Sequence, residues 1–366
     1  MKTVKIGIVG CGNISPIYFK NCNTYPGLEV VACADLDVSR AEARAQEYGV
    51  PKACSVDELL QDPEIDLVIN LTIPAAHAEV ALKALNAGKH VYGEKPLAVT
   101  REDGRLVLDT AKQKGLRVGS APDTFLGGGI QTCIKLIRDG WIGEPVAATA
   151  FMMARGPESW HPDPVFFYKK GGGPMFDMGP YYLTALIAML GPISRVAGMT
   201  RTSFPERRIT SAPKYGQMIE VETPTHIAGL LEFQTGVIGT LITSFDIMGG
   251  AGLPRIEIYG SEGSLKVPDP NTFGGPVLYR RKGAKDWGEI PLTHGFAENS
   301  RGIGVLDMAR AIAEGRPHRA NGELAFHALE AMHGFHDSSD QRSQYEMLSS
   351  CTVPEPMPLN ADSVWL

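Results

Sequence analysis

Residues Val4–Val9 form a short apolar run that enters Gly10-Cys11-Gly12-Asn13-Ile14-Ser15 without a linker. A strand that must turn at once into a helix needs a residue able to take positive φ, and Gly10 supplies it. Gly12 has no side chain to obstruct a pyrophosphate, and the N–H groups that open the next helix are unpaired and ready to receive one. Asn13 and Ile14 complete the turn. Ser15 stands where the third glycine of G-x-G-x-x-G would be, and it is small enough for close helix packing. By itself the motif also fits an ordinary glycine turn. What sets it apart is a second apolar run, Leu28–Ala34, that ends on Asp35, 23 residues past Gly12. A carboxylate there accepts hydrogen bonds from the ribose hydroxyls of an adenosine, so the order predicts dinucleotide binding. Asp35 and Asp37 repel a 2′-phosphate, and Arg40 is the one nearby cation, so NAD is preferred over NADP.

The alternation continues along the first 120 residues. Strand-length runs at Val4–Val9, Leu28–Ala34, Leu67–Leu71, His90–Tyr92 and Leu116–Gly119 are separated by helical spacing at Pro16–Asn23, Ser39–Tyr48, Val56–Leu60, Ala76–Ala87 and Arg101–Lys114. Continuous apolar strands joined by helices predict a Rossmann-type, doubly wound parallel sheet of the α/β class, buried on both faces. Gly49, Gly88 and Gly115 come just after helical segments, where a left-handed cap is wanted. Beyond Ala121–Pro122 the pattern changes. A helix at Ile130–Arg138 precedes strand-like stretches at Val146–Met153, Ile219–Phe233, Val237–Phe245, Arg255–Tyr259 and Val277–Arg280, with helices near Tyr181–Leu190, Val305–Glu314 and Glu323–His336. The expectation is a nucleotide domain over 1–121 and an α+β domain over 122–366 built on a mostly antiparallel open sheet.

Composition narrows the partners. The 366 residues are 43% hydrophobic and 21% charged, which fits a folded globular chain rather than a disordered one. The net charge of −6 disfavours nucleic acid and anionic membrane, both of which are held by clustered Lys and Arg. No apolar run approaches the ~18 residues of a membrane span, and the N-terminus lacks a secretory leader. Six cysteines, none in a C-x-x-C pair, suit reduced thiols in a cytoplasmic protein. No His/Cys or His/Glu spacing predicts a metal site.

Two further stretches carry ionisable groups. The fifth strand ends in Gly93-Glu94-Lys95-Pro96, and strand C-termini in such a sheet face the cofactor crevice, although a surface ion pair fits the same residues. Gly171-Gly172-Gly173-Pro174-Met175-Phe176-Asp177 places three glycines before an acid at the mouth of a helix. This suggests close backbone approach to a ligand, or else a flexible loop with a helix-capping aspartate. Together with Gly10–Ile14, with Thr72–His77 and its Pro74, and with the Ala87–Val91 run into Glu94-Lys95-Pro96, these stretches resemble the glucose–fructose oxidoreductase, inositol dehydrogenase and rhizopine catabolism (Gfo/Idh/MocA) family over nearly the whole chain. The resemblance implies nicotinamide-dependent oxidation of sugars, inositols or related polyols. It also implies assembly through the open sheet into a homodimer or homotetramer. Thr72, Pro74, His77 and Glu94 join the cofactor residues, Lys95 becomes the catalytic lysine, and Asp177 becomes the substrate-domain carboxylate. The family's usual histidine four residues on is Tyr181 here.

The chemistry expected is removal of a hydroxyl proton as hydride leaves carbon for the nicotinamide. Lys95 would be the base, with its ammonium form disfavoured by desolvation and by the cationic ring. Tyr181 would hydrogen-bond the hydroxyl, and Asp177 would orient the sugar or the lysine. Arg155, Trp160, His161 and Tyr168 offer ring faces and donors for a polyol, although Trp160 also fits a packing anchor in a proline-rich loop. His161 is a second acid/base candidate, and Asn299 and Arg301 are weaker substrate candidates. Two other functions fit the same chain. One is a redox-neutral glycoside hydrolase that needs an extra base, His161 or Tyr182, and the other is a non-catalytic NAD-dependent sensor.

Overall fold

The computed structural model describes residues 3–366. In chain order its elements are β1 (Val4–Val9), α1 (Ser15–Thr24), β2 (Leu28–Ala34), α2 (Val38–Tyr48), β3 (Lys52–Cys54), α3 (Val56–Gln61), β4 (Leu67–Asn70), α4 (His77–Asn86), β5 (His90–Gly93), α5 (Arg101–Lys114), β6 (Val118–Ser120) and α6 (Gly128–Arg138). Next come β7 (Pro145–Met153), α7 (Gly173–Leu190), β8 (Ile193–Arg201), β9 (Glu206–Arg208), β10 (Met218–Glu220), β11 (His226–Phe233), β12 (Ile238–Ser244), β13 (Ile256–Gly260), β14 (Gly263–Val267), β15 (Val277–Arg281) and β16 (Gly288–Ile290). The last are α8 (Ile303–Glu314), α9 (Gly322–Gln341), β17 (Tyr345–Glu346) and α10 (Ala361–Trp365). The chain divides into two compact units, Met1–Gly128 with Thr293–Phe326 and Pro354–Leu366, and Gly129–Leu292 with His327–Val353. A single cut at Ala121–Pro122 does not express the return of the two later segments to the first unit.

In the first unit the strands form a six-stranded sheet ordered β3-β2-β1-β4-β5-β6, and every pairing is parallel. This is the doubly wound sheet expected from the alternation. Its core strands are buried on both faces, with Ile6, Ile8, Leu67, Val68 and Ile69 all inaccessible. Strand order reverses between β1 and β4, so the crevice for a ligand opens at their C-terminal ends. Gly49 and Gly115 take left-handed φ at the ends of α2 and α5, as their positions require. The edge strand β3 was not anticipated. It is three residues long, and Lys52 is exposed.

The second unit is built on nine strands ordered β16-β15-β14-β13-β7-β12-β11-β8-β17, antiparallel except for β7 beside β12. Helix α7 packs on β7, β11 and β12. Phe335 of α9 lies over Gly198 and Gly229, where a Cβ would collide with it. The expected strand Ile219–Phe233 is two elements, β10 and β11, because Pro224 between them cannot donate to a ladder. Strand β8 was missed because polar residues interrupt its apolar alternation. No helix among the described residues is long and apolar enough to cross a membrane.

Asp123 joins parts of the first unit that are far apart in sequence. Its Oδ2 accepts the N–H groups of Gly302 (2.8 Å) and Gly304 (3.0 Å) at the start of α8, so it caps that helix from the loop after β6. Burial lifts its carboxyl from the usual 3.8 to about 6, against the pull of those two N–H bonds. Below about pH 4 the group is protonated in both folded and unfolded chains. As pH rises to about 6 the unfolded chain ionises first, so this group's contribution to stability falls across that window. Asp123→Asn keeps an acceptor without the charge. Its stability relative to the wild type, measured by urea unfolding, is expected to improve between pH 4 and pH 7 by on the order of 2–3 kcal/mol.

Candidate active site

The nucleotide end of the first unit is built by backbone before side chains. Gly10 takes φ +99°, and a Cβ there would sit 2.7 Å from the Leu71 carbonyl group, so β1 turns directly against the end of β4. Gly12 faces open space, with nothing within 4 Å of an added Cβ. Ser15 donates its hydroxyl to the Gly12 carbonyl at 2.8 Å and is fully buried, which fixes the turn where a third glycine was absent. The N-cap residue of α1, Ile14, provides no side-chain cap. These are the features a dinucleotide's pyrophosphate requires, and they fit NAD. Asn13 is exposed beside them and Ile14 is half-buried.

Asp35 lies at the end of β2, where its carboxylate accepts the Cys11 N–H at 2.7 Å and the Asp37 N–H at 3.0 Å. Both oxygens are thereby aimed, and each keeps a lone pair for a ribose hydroxyl. Next to it Leu36 is 99% exposed, and Ile73 after β4 is 62% exposed. Two bare aliphatic side chains at the C-terminal edge of this sheet suit the faces of a purine. Sequence reasoning passed over both, because a single apolar residue in a loop gives no periodic signal. Thr72 hydrogen-bonds the Asn70 side chain with both its hydroxyl (2.6 Å) and its N–H (3.2 Å), and Pro74 opens a short 3-10 turn.

Lys95 comes just after β5, half-buried, in a segment pinned on both sides. On one side the buried Glu94 accepts the Tyr18 hydroxyl of α1 at 2.7 Å and the Lys95 N–H at 3.1 Å. On the other, His77 Nδ1 stands 2.6 Å from the Pro96 carbonyl and Nε2 stands 3.0 Å from that of Thr72. Burial holds His77 below the usual imidazole range, so the ring is neutral and its single N–H serves the shorter contact. Glu94 and His77, expected among the cofactor contacts, both hydrogen-bond protein partners here. They serve the site by fixing where Lys95 emerges.

In the second unit α7 begins at Gly173, two turns before the expected start. Asp177 is consequently inside the helix and not its cap, which is Gly172. The glycine triplet makes room for protein. A Cβ at Gly172 would strike the Phe166 and Phe167 carbonyls, and one at Gly173, where φ is +83°, would strike that of Pro224. Sixteen of the eighteen residues of α7 are buried, and the two that are not are Asp177 and Met178. Tyr181 lies one turn on, on the same helix face as Asp177.

The loop after β7 separates the expected sugar contacts. Arg155 is exposed, and Trp160 is 65% exposed against the ring edges of His161 and Phe167. His161 Nδ1 accepts the Asp163 N–H at 3.0 Å, so a neutral ring carries its proton on Nε2 and presents a donor. Tyr168 is overturned as a contact. It is fully buried, and its hydroxyl donates to the Glu158 carboxylate. Tyr182, the other base considered, is also fully buried, and burial pushes its phenol above the usual range. Asn299 and Arg301 lie on a segment whose carbonyls are held by the Asn21 amide. Among the described residues no group of three or more His, Cys, Asp or Glu stands ready to hold a metal.

Residues 4–121 match the model of an oxidoreductase family with an NAD-binding Rossmann fold, and residues 130–266 match the GFO/IDH/MocA C-terminal domain. The chain belongs to the Gfo/Idh/MocA family. It is an oxidoreductase with an NAD-binding Rossmann domain. Within this Gfo/Idh/MocA family it is 28% identical to 1,5-anhydro-D-fructose reductase of Ensifer adhaerens over 270 residues, 71% of this chain and 74% of that one. It is 40% identical to inositol 2-dehydrogenase of Salmonella paratyphi B over 119 residues, 32% of this chain and 35% of that one. Its fold is that of an NAD binding oxidoreductase from Klebsiella pneumoniae, with a TM-score of 0.81 at 23% identity, covering 95% of this chain and all of that one.

The two glycines of this turn give separable outcomes. An alanine at position 12 meets nothing in the protein, so Gly12→Ala is expected to leave the melting temperature unchanged while raising the dissociation constant for NADH by about tenfold or more. Gly10→Ala meets the Leu71 backbone at a positive φ and is expected to lower stability by on the order of 1–3 kcal/mol. Thermal melts and NADH fluorescence titrations check both.

Proposed function

We propose that the chain is an NAD-dependent dehydrogenase acting on a ring hydroxyl of a sugar, inositol or related polyol. The observation that carries this reading is Lys95, held by Glu94 and His77 at the C-terminal edge of a nucleotide-binding sheet. Bound NAD supplies the hydride acceptor. Lys95 Nζ takes the hydroxyl proton, and Tyr181 and Asp177 are the phenol and the carboxylate that the second unit offers to sugar hydroxyls. Trp160 offers a ring face to the sugar C–H surface, and His161 Nε2–H and Arg155 offer donors. Arg40, the cation closest in sequence to the ribose carboxylate, lies 3.5 Å from Asp37, which supports NAD over NADP.

Lys95→Met is expected to leave NADH affinity unchanged and to lower turnover by at least about a hundredfold. The assay tracks absorbance and product identity together, with inositols, anhydrosugars, monosaccharides and aryl glycosides. Stoichiometric NADH from a polyol supports the dehydrogenase. Release of aglycone with only catalytic NAD would replace it with the hydrolase, which needs a second base where Tyr182 is buried and His161 Nδ1 already accepts the Asp163 N–H.

We also propose that the uncovered face of the nine-stranded sheet joins copies of this chain, as the resemblance implies. Across it, Arg195, Glu232 and Ile238 align in one row, and Ala197, Leu230 and Thr240 in the next. Leu230, Ile238 and Met199 are exposed there. Leu230→Glu is expected to shift the mass measured by light scattering towards that of one chain, and an unchanged oligomer would remove the proposal.

A further inference from the structure

In the second unit β7 runs parallel to β12, and both β8 and β12 run antiparallel to β11. Strands β7, β8 and β12 therefore point the same way, and the segments connected to their C-terminal ends leave from one edge of the sheet. The first of these segments carries Trp160 and His161 and leads into α7 with Asp177. The second contains β9 and β10. The third begins at Phe245.

One guanidinium ties all three together. Arg207 of β9 is only 4% exposed. It donates Nε (3.1 Å) and Nη2 (2.8 Å) to Glu158 Oε1 in the first segment, Nη1 (2.8 Å) to Asp246 Oδ1 in the third, and Nη2 (2.8 Å) to the Phe245 carbonyl. The acceptors are themselves held, because Tyr168 donates to the Glu158 carboxylate and Thr225 donates to Asp246 at 2.7 Å. The Glu158 carbonyl accepts the N–H groups of Thr210 (2.8 Å) and Ser211 (3.2 Å), and the Ser211 hydroxyl donates to the His161 carbonyl at 2.5 Å. A Cβ on Gly156 would overlap Tyr168 Oη, the Glu158 carboxylate and the Arg207 guanidinium, so the network also dictates that glycine.

A buried ion cluster is a poor source of stability, since packed apolar residues serve as well. What a guanidinium between two carboxylates provides is direction, because its planar donors fix each acceptor in angle as well as distance. Here the directed object is the backbone that presents an exposed indole and the His161 donor. We propose that Arg207 is a positioning residue for carbohydrate binding, acting through Glu158 on the Trp160–His161 segment. The proposal rests on the reading that this segment touches the sugar.

The test compares Arg207→Met, Arg207→Lys, Trp160→Ala and the Arg207→Met/Trp160→Ala double variant in the full chain. Kinetics use the inositol or anhydrosugar that turns over, alongside NADH titration and hydrogen exchange of residues 156–168. Arg207→Met is expected to raise KM about tenfold or more with kcat within about threefold and NADH affinity unchanged, and Arg207→Lys to recover part of the loss. Exchange in 156–168 should quicken about tenfold while the strands of the sheet keep their protection. The double variant should bind sugar no worse than the poorer single one, because both act on one contact. Unchanged KM and exchange in Arg207→Met, or effects that multiply in the double variant, overturn the proposal. A Trp160→Ala protein with normal KM instead defeats the reading that the segment meets the sugar, whatever Arg207 does. If Arg207→Met does not fold, Glu158→Gln is judged by the same criteria.

Discussion

The buried carboxylate of Glu94 is the constraint on which the chemistry proposed for Lys95 depends. One oxygen receives the Tyr18 hydroxyl from the helix that opens on the pyrophosphate turn, and the other receives the N–H of Lys95. The same side chain thus fixes the helix that would hold the nucleotide and the residue that would take the proton. His77 completes the restraint from the opposite side through the Pro96 carbonyl. Such a site tolerates little slack, since proton and hydride transfer require near-contact geometry set before the reactants meet.

The sugar contact proposed for the second unit poses a different problem. A sugar presents many similar hydroxyls on a ring with one apolar face, and discrimination needs a fixed wall of flat surfaces and donors. The sheet directs β7, β8 and β12 towards one edge, and the Arg207 cluster gathers the connecting segments that leave it there. The aromatic groups at this edge are braced by one another. His161 meets the rings of Trp160, Phe166 and Phe167 at 5.2–5.5 Å between centroids, all near perpendicular.

Much of this architecture was readable in the sequence, and the failures have identifiable causes. The alternation of apolar strands and helical spacing located the parallel sheet, because strands buried on both faces must be apolar throughout. The turn at Gly10 and the place of Asp35 at the end of β2 were readable because local backbone conformation and strand ends dictate them. Strand β3 and the first two turns of α7 were not. The former is too short for periodicity, and the latter is disguised by Gly171–Gly173, Pro174 and Pro180. Tyr168 was misread because burial is a property of the whole fold. Arg207 left no trace because its carboxylate partners lie 49 residues before it and 39 after it. Interactions of that range leave no pattern within any window of sequence.

Helix α7 has a consequence for how relatives of such a chain can diverge. Apart from Asp177 and Met178 its residues are enclosed, so almost any replacement along it is a change of packing before it is a change of ligand. New preferences are then acquired most freely on the connecting segments, whereas a change within the helix, such as Tyr181 in place of the family's histidine, has to be met by the packing around it.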